Sequence, residues 1–199
     1  MAPVATFVAN ALDCAPQQIR PPRELDLVAV PACAATKVRR ESPQDVRPLL
    51  ELAQALIGGQ LAAEDVVRTV AARHPDTLWT FVRDSRVVGG LAMLILNAAG
   101  LRALLTGTID THDPEEDFLA TPAETPAAIY LWGFGQASGS EGILNVFARL
   151  QSAPYASANL YAVPVTANGL RFLKSWGFRS IAGHPRDLHE YVRLTNRLH

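Results

Sequence analysis

The sequence has 199 residues, of which 49% are hydrophobic and 19% are charged, and its formal net charge is −1 at pH 7. This length and composition predict one globular domain with a sizeable buried core and exclude a chain that is disordered throughout. The small net charge excludes bulk electrostatic attraction to nucleic acid or membrane as the basis of function, and no run of about 18 apolar residues predicts a membrane span.

Residues 1–35 are rich in alanine and proline and show no clear period, so we expect an extension or arm ahead of a domain at 36–199. The first residues have neither a basic start nor a long apolar run, which does not fit a signal peptide. The two cysteines, Cys14 and Cys33, match no metal-ligand spacing and are too few for a disulfide framework. We therefore expect a cytoplasmic protein without a metal site.

The first half of the domain predicts a strand, two helices and a hairpin. The strand "TKVRR" precedes "ESPQDVRPLLELAQALIGG", where Ser42 fits an N-cap and Pro43 the first helical position. An apolar stripe at helical spacing follows, formed by Val46, Leu49, Leu50, Ala53 and Ile57. A second helix fits residues 62–73. The segment "TLWTFVRDSRVVGGLAMLIL" then predicts two strands around a turn at Asp84 and Ser85.

An insert at about 97–127 interrupts this rhythm, with a short helix and the acidic run "DTHDPEEDF". A strand at 128–134, a helix, the strand "ANLYAVPV" and a helix over 167–176 follow. Thr166 fits the N-cap of that last helix and Gly177 its stop. The segments "FRSI" and "HEYVRL" predict a closing hairpin. This order predicts an α/β protein with a mixed sheet that helices cover on both faces.

The glycine-rich segment "YLWGFGQASGSEGILNVFARL" at 130–150 permits several interpretations. A P-loop is excluded because no lysine lies between Lys37 and Lys174. A dinucleotide fingerprint lacks its acid, since no Asp or Glu occurs from 142 to 186. A nucleophile elbow at Ser140 has only Asp187 and His189 as later partners. A coenzyme A pyrophosphate at the helix N-terminus fits the small residues, and a plain strand-to-helix turn also stays open.

Three short motifs resemble the GNAT superfamily of acyl-CoA N-acyltransferases. "VRRESPQDVRPLLEL" is similar to its first strand and helix, "FVRDSRVVGGLAML" to its central hairpin, and "NGLRFLKSWGFRSI" to its late helix ending in Gly-Phe. The resemblance covers roughly residues 36–194. It implies a divergent member with a central, mostly antiparallel twisted sheet and helices on both faces.

The resemblance also implies acetyl-CoA or another acyl-CoA as co-substrate. The family's phosphate motif, Gln/Arg-x-x-Gly-x-Gly/Ala, fits here from Gln136 to Gly139 and departs at Glu141. A carboxylate beside a pyrophosphate is repulsive unless it turns away or pairs with a base. The cofactor-binding residues that the resemblance implies are Trp132, Gly133, Phe134, Gln136, Ala137, Ser138, Gly139, Ser140, Gly142, Ile143 and Thr166.

The implied reaction is direct attack of a primary amine, on a small molecule or a protein, on the acyl thioester. Backbone groups of Trp132, Gly133 and Phe134 would hold the thioester where the strand leaves its neighbour. Glu116, on the insert, is the candidate general base, although its acidic run also fits a solvated loop. Leu173 stands where the family often has its general-acid tyrosine. A second hypothesis is therefore a GNAT-like module that senses coenzyme A or binds proteins, and a homodimer stays open.

Overall fold

The computed structural model describes residues 7–9, 36–57, 61–136 and 141–193. The strands in these residues are β1 (Phe7–Ala9), β2 (Lys37–Arg40), β3 (Leu78–Arg83), β4 (Arg86–Leu96), β5 (Ala128–Gln136), β6 (Asn159–Ala162), β7 (Arg179–Ser180) and β8 (His189–Tyr191). The α-helices are α1 (Val46–Ile57), α2 (Glu64–Arg73), α3 (Ala98–Thr106), α4 (Glu141–Arg149) and α5 (Ala167–Ser175). The predicted α/β arrangement is confirmed.

The described strands form one mixed, mostly antiparallel sheet. Seven of them lie in the order β2-β3-β4-β5-β6-β8-β7, and β1 joins β5 off this path. The parallel pairs are β5 with β6 and β5 with β1. The central strand β5 therefore has β4 on one edge and shares its other edge between two parallel partners.

The predicted caps and turns form as the local sequence indicates. Ser42 caps a 3-10 helix (Pro43–Asp45) that leads into α1, by accepting a hydrogen bond from the Gln44 amide at 3.1 Å. The Thr166 hydroxyl accepts from the Gly169 amide at 2.9 Å and caps α5. Gly177 follows α5 with φ of +86°, a conformation that glycine adopts without a Cβ penalty.

Helices cover both faces of the sheet. The α1 face carries α1, α2 and α3, and the α4 face carries α4 and α5. Buried side chains on the α1 face include Val67, Val70, Leu94, Leu96, Leu104, Tyr130 and Trp132. Those on the α4 face include Phe81, Met93, Leu131, Phe134, Ile143, Val146, Phe147 and Leu173. Alternate residues of β5 thus point into different cores, as a strand buried on both faces requires.

The predicted insert packs against the end of β4 as α3 and a 3-10 helix (Glu116–Phe118). The Ala120 and Ala127 amides each donate to a β4 carbonyl at 2.8 Å. Asn97 caps α3 by accepting from two amides, and its own amide group donates to the Asp117 carbonyl at 2.8 Å. The segment therefore extends the sheet end that lies away from the glycines of β5. None of the described helices is long and apolar enough to cross a membrane.

Candidate functional site

The candidate site lies where β5 and β6 separate. β6 pairs with β5 over residues 128–130, and its register ends with Tyr130 opposite Tyr161. One residue on, the pairing of β5 with β4 shifts so that Ala92 faces Gly133 while Met93 faces Leu131. The extra residue, Trp132, is a β-bulge, and bulges bend a strand and increase its twist. The sheet therefore forks between β5 and β6 directly before Gly133 and Gly135.

The edge of β5 at residues 133–135, which we call the glycine edge, lies beyond the fork. We expected its backbone groups to be free of any ladder there. Instead, β1 runs parallel to β5 with Phe7 opposite Gly133 and Ala9 opposite Gly135. A segment from the predicted arm therefore occupies the position that β6 vacates, and the expectation of a free edge is wrong for this conformation.

An apolar cavity of about 80 Å³ lies on the α1 face beside the glycine edge and opens to solvent. Its floor is the sheet, where Gly90 and Ala92 of β4 lie opposite Gly135 and Gly133 of β5. Its walls come from α1, the following segment, α2 and the bulge, and include Leu49, Leu50, Leu52, Ala53, Leu56, Leu61, Val67 and Trp132. The described lining residues include no ionisable side chain.

The α4 face at the same position is closed by aromatic packing. Phe134 is 1% exposed, and its ring stacks on Phe172 with centroids 5.2 Å apart. The side chain of Gln136 is also completely buried. A group held at the glycine edge can therefore extend into space on the α1 face but not on the α4 face.

The expected phosphate loop falls partly outside the described residues, which exclude Ala137, Ser138, Gly139 and Ser140. Its end is described, because α4 begins at Glu141. The Glu141 carboxylate accepts from Arg83 Nη2 at 2.7 Å and from the Thr36 hydroxyl at 2.5 Å. The residue that departs from the family motif thus pairs with a base, which reduces its repulsion toward an anion at this helix end.

Gly142 and Ile143 contact the core of the α4 face. A Cβ on Gly142 would lie 2.2 Å from Phe81 Cγ, so this glycine is required by helix-to-sheet packing. Ile143 is fully buried. Any contact of Ile143 with a phosphate would thus involve its backbone amide.

The late helix presents Thr166 at its start and Leu173 in its interior. The Thr166 hydroxyl accepts the capping hydrogen bond from Gly169. Leu173 is fully buried in the core of the α4 face. A hydrocarbon side chain at this position has no proton to donate to a leaving thiolate.

Glu116 lies in the 3-10 helix of the insert and is exposed. That helix precedes Leu119, which bridges to Leu96, and Leu96 pairs with Ala128 at the start of β5. Ala128 and Gly133 are five residues apart, about 17 Å along a strand. The structure does not bring Glu116 to the glycine edge, and its role as general base stays a prediction.

A Tyr161–Glu190 pair, in which Tyr161 is buried and Glu190 partly buried, lies close to the fork and was not indicated by sequence spacing. The Tyr161 hydroxyl donates to Glu190 Oε1 at 2.6 Å, and Asn159 Nδ2 donates to the same oxygen at 3.1 Å. Burial, followed by the hydrogen bond to this carboxylate, raises the pKa of the Tyr161 hydroxyl. The two residues come from β6 and β8 and meet through strand pairing, which no local pattern encodes.

Solved structures resemble this chain in fold. The loading GNATL domain of CurA from Lyngbya majuscula has a TM-score of 0.53 and 14% identity, covering 79% of this chain and 97% of that domain. Chaetomium thermophilum Naa20 in complex with a bisubstrate analogue has a TM-score of 0.48 and 14% identity, covering 77% of this chain and 82% of that chain. An acetyltransferase from Streptococcus agalactiae has a TM-score of 0.47 and 13% identity, covering 81% of this chain and 99% of that chain.

No protein-family model matches the sequence, and no curated protein matches it. The likeness to the CurA domain shows that the chain has the GNAT fold. This confirms the fold that the three sequence motifs implied.

Proposed function

We propose that the protein is an acyl-CoA-dependent N-acyltransferase that transfers an acyl group to a primary amine on a small molecule or a protein. The observation that carries the proposal is the fork between β5 and β6, beyond which the edge of β5 at residues 133–135 no longer pairs with β6 and lies beside an apolar cavity. An extended amide-containing chain, such as the arm of acyl-CoA, can pair with such an edge as another strand would.

The reaction requires a polarised thioester and a neutral amine. Amide N–H groups of the glycine edge would donate to the thioester oxygen as negative charge develops on it. The amine nitrogen forms the new C–N bond, the C–S bond breaks, and the nitrogen loses its proton to a base or water. Leu173 has no proton to donate to the departing thiolate, so we assign this protonation to solvent.

Acyl-CoA and β1 would use the same edge of β5, since β1 pairs with residues 133–135. In the proposed enzyme, β1 leaves the glycine edge when the co-substrate binds. The apparent affinity is then the intrinsic affinity multiplied by the fraction of molecules whose edge is open.

Thermal unfolding in the presence of acetyl-CoA tests the proposal. A ligand at a hundredfold excess over its Kd stabilises the native state by about 2.7 kcal/mol. This raises the melting temperature of a domain of this size by roughly 5–10 °C. ATP is the control, because it carries phosphates without the amide-containing arm. No shift at millimolar acetyl-CoA would contradict the proposal.

A catalytically inactive module is the second candidate. β1 on the glycine edge, Leu173, and the lack of an ionisable group among the described cavity residues all favour it. Acetyl-CoA binding without thiol release across a panel of primary amines would select this candidate over the enzyme. The cytoplasmic location and a homodimer remain proposals that this assay does not address.

A further inference from the structure

The apolar cavity has a composition that selects among the groups near a thioester. Its described lining residues are aliphatic, aromatic or glycine. A polar acceptor buried there would lose its hydration without gaining a hydrogen-bonding side chain, which costs free energy. A hydrocarbon chain has no hydrogen bonds to water that it could lose, and its transfer from water into the cavity lowers the free energy.

The direction of the cavity relative to the glycine edge is also defined. Gly133 and Gly135 face the α1 face, where they place no side chain between the edge and the cavity. The neighbouring residue, Phe134, fills the α4 face by stacking on Phe172. A carbonyl carbon held at this edge can thus carry a longer chain only toward the cavity.

The stripe of α1 that the sequence predicts as core contributes to the wall. Leu49 and Ala53 from the stripe line the cavity together with Leu52 and Leu56, and all four are only partly buried. On the sheet side, a Cβ at Gly90 would lie 2.9 Å from the Trp79 carbonyl oxygen, so the floor there has no room for a side chain. Gly90 therefore contributes no side chain to the space between α1 and the sheet.

We propose that this cavity is an acyl pocket, which binds the apolar chain of an acyl-CoA longer than acetyl-CoA. The inference rests on the proposed function, because it places the thioester at the glycine edge. It assigns the cavity to the acyl donor and leaves the amine to approach from another side.

The test compares the affinities of free CoA, acetyl-CoA, butyryl-CoA and octanoyl-CoA by calorimetric titration. Each methylene that enters the cavity is expected to tighten binding by up to about fourfold. The affinity ratios among the three thioesters are independent of β1, because each of them must displace the same strand. Equal affinities for acetyl-CoA and octanoyl-CoA would overturn the acyl pocket while leaving the proposed acyltransferase intact.

Two substitutions on α1 provide a matched pair. Ala53→Leu adds bulk to the cavity wall, whereas Ala55→Leu makes the same change at an exposed position. We expect Ala53→Leu to weaken octanoyl-CoA binding at least tenfold with little effect on free CoA, and Ala55→Leu to change neither. Equal effects of the two variants, or no effect of Ala53→Leu, would count against the inference.

Gly133→Ala provides a second variant if Ala53→Leu does not fold. Its new Cβ would meet Ala92 Cβ at 3.8 Å, an ordinary contact. It should reduce the preference for octanoyl-CoA over acetyl-CoA by several fold. If Ala53→Leu instead raises KM for amines and leaves the chain-length preference unchanged, the cavity belongs to the acceptor and the inference is wrong. If neither free CoA nor any thioester binds, the acyltransferase proposal fails with it.

Discussion

Breaking the pairing of β1 with the glycine edge should strengthen acyl-CoA binding. The double substitution Val8→Pro and Ala9→Pro removes two backbone N–H groups from β1, and proline is poorly tolerated within a ladder. In a parallel pair, alternate residues bond to a given neighbour. Because Val8 and Ala9 are consecutive, the N–H group of one of them points toward β5 and is removed by the double substitution.

The size of the effect follows from the three paired positions of β1, Phe7 with Gly133, Val8 with Phe134 and Ala9 with Gly135. About two hydrogen bonds depend on them, each with a net contribution of roughly 0.5–1.5 kcal/mol. Ordering the segment offsets part of this stabilisation. A net docking free energy of about 1.4 kcal/mol leaves roughly one molecule in ten with an open edge. Undocking β1 should then lower the apparent Kd for acetyl-CoA about tenfold.

Calorimetric titration with acetyl-CoA measures this change directly. The control, Val8→Ile with Ala9→Val, keeps both N–H groups and strand-forming residue types. Hydrogen exchange of the β5 amides reports separately whether β1 has left the edge. If exchange accelerates but the affinity for acetyl-CoA is unchanged or weaker, β1 does not compete with the ligand and the reasoning is refuted. If acetyl-CoA binds only the proline variant, β1 closes the site in the native chain.

Three further predictions concern stability. Gly142→Ala should lower the free energy of unfolding by about 1–3 kcal/mol, because its Cβ would lie 2.2 Å from the Phe81 ring; an unchanged urea midpoint would contradict this packing. Burial lowers the pKa of His74, so the unfolded chain binds the proton first and stability should fall as pH drops below about 6.5. The melting temperature of His74→Gln should therefore fall less below pH 6.5 than that of the unsubstituted protein. The same pH dependence of the melting temperature in both proteins would exclude His74 as its source. Thr166→Ala removes the hydroxyl that caps α5 and should cost about 1 kcal/mol in chemical denaturation, whereas Thr166→Ser should retain most of the stability.

Local sequence signals determined most of the secondary structure. Ser42, Thr166 and Gly177 mark helix ends because a cap or a positive φ depends on residues within a few positions. The Asp84–Ser85 turn forms as predicted, with both residues at positive φ. The order of helices and strands, read with the three GNAT-like motifs, was then enough for the fold class.

The tertiary structure alone decided the character of the site. The bulge at Trp132 and the end of β6 pairing depend on the register between strands, which a single strand does not contain. The same holds for Glu141, whose partner Arg83 lies 58 residues away. Local motifs could indicate neither the pairing of β1 with β5 nor the cavity below α1, because both depend on how elements that are distant in the sequence meet. The apolar period of α1 predicts a buried stripe. Only the tertiary structure shows that Leu49 and Ala53 of this stripe line a cavity, because the cavity is formed jointly by α1, α2 and the sheet.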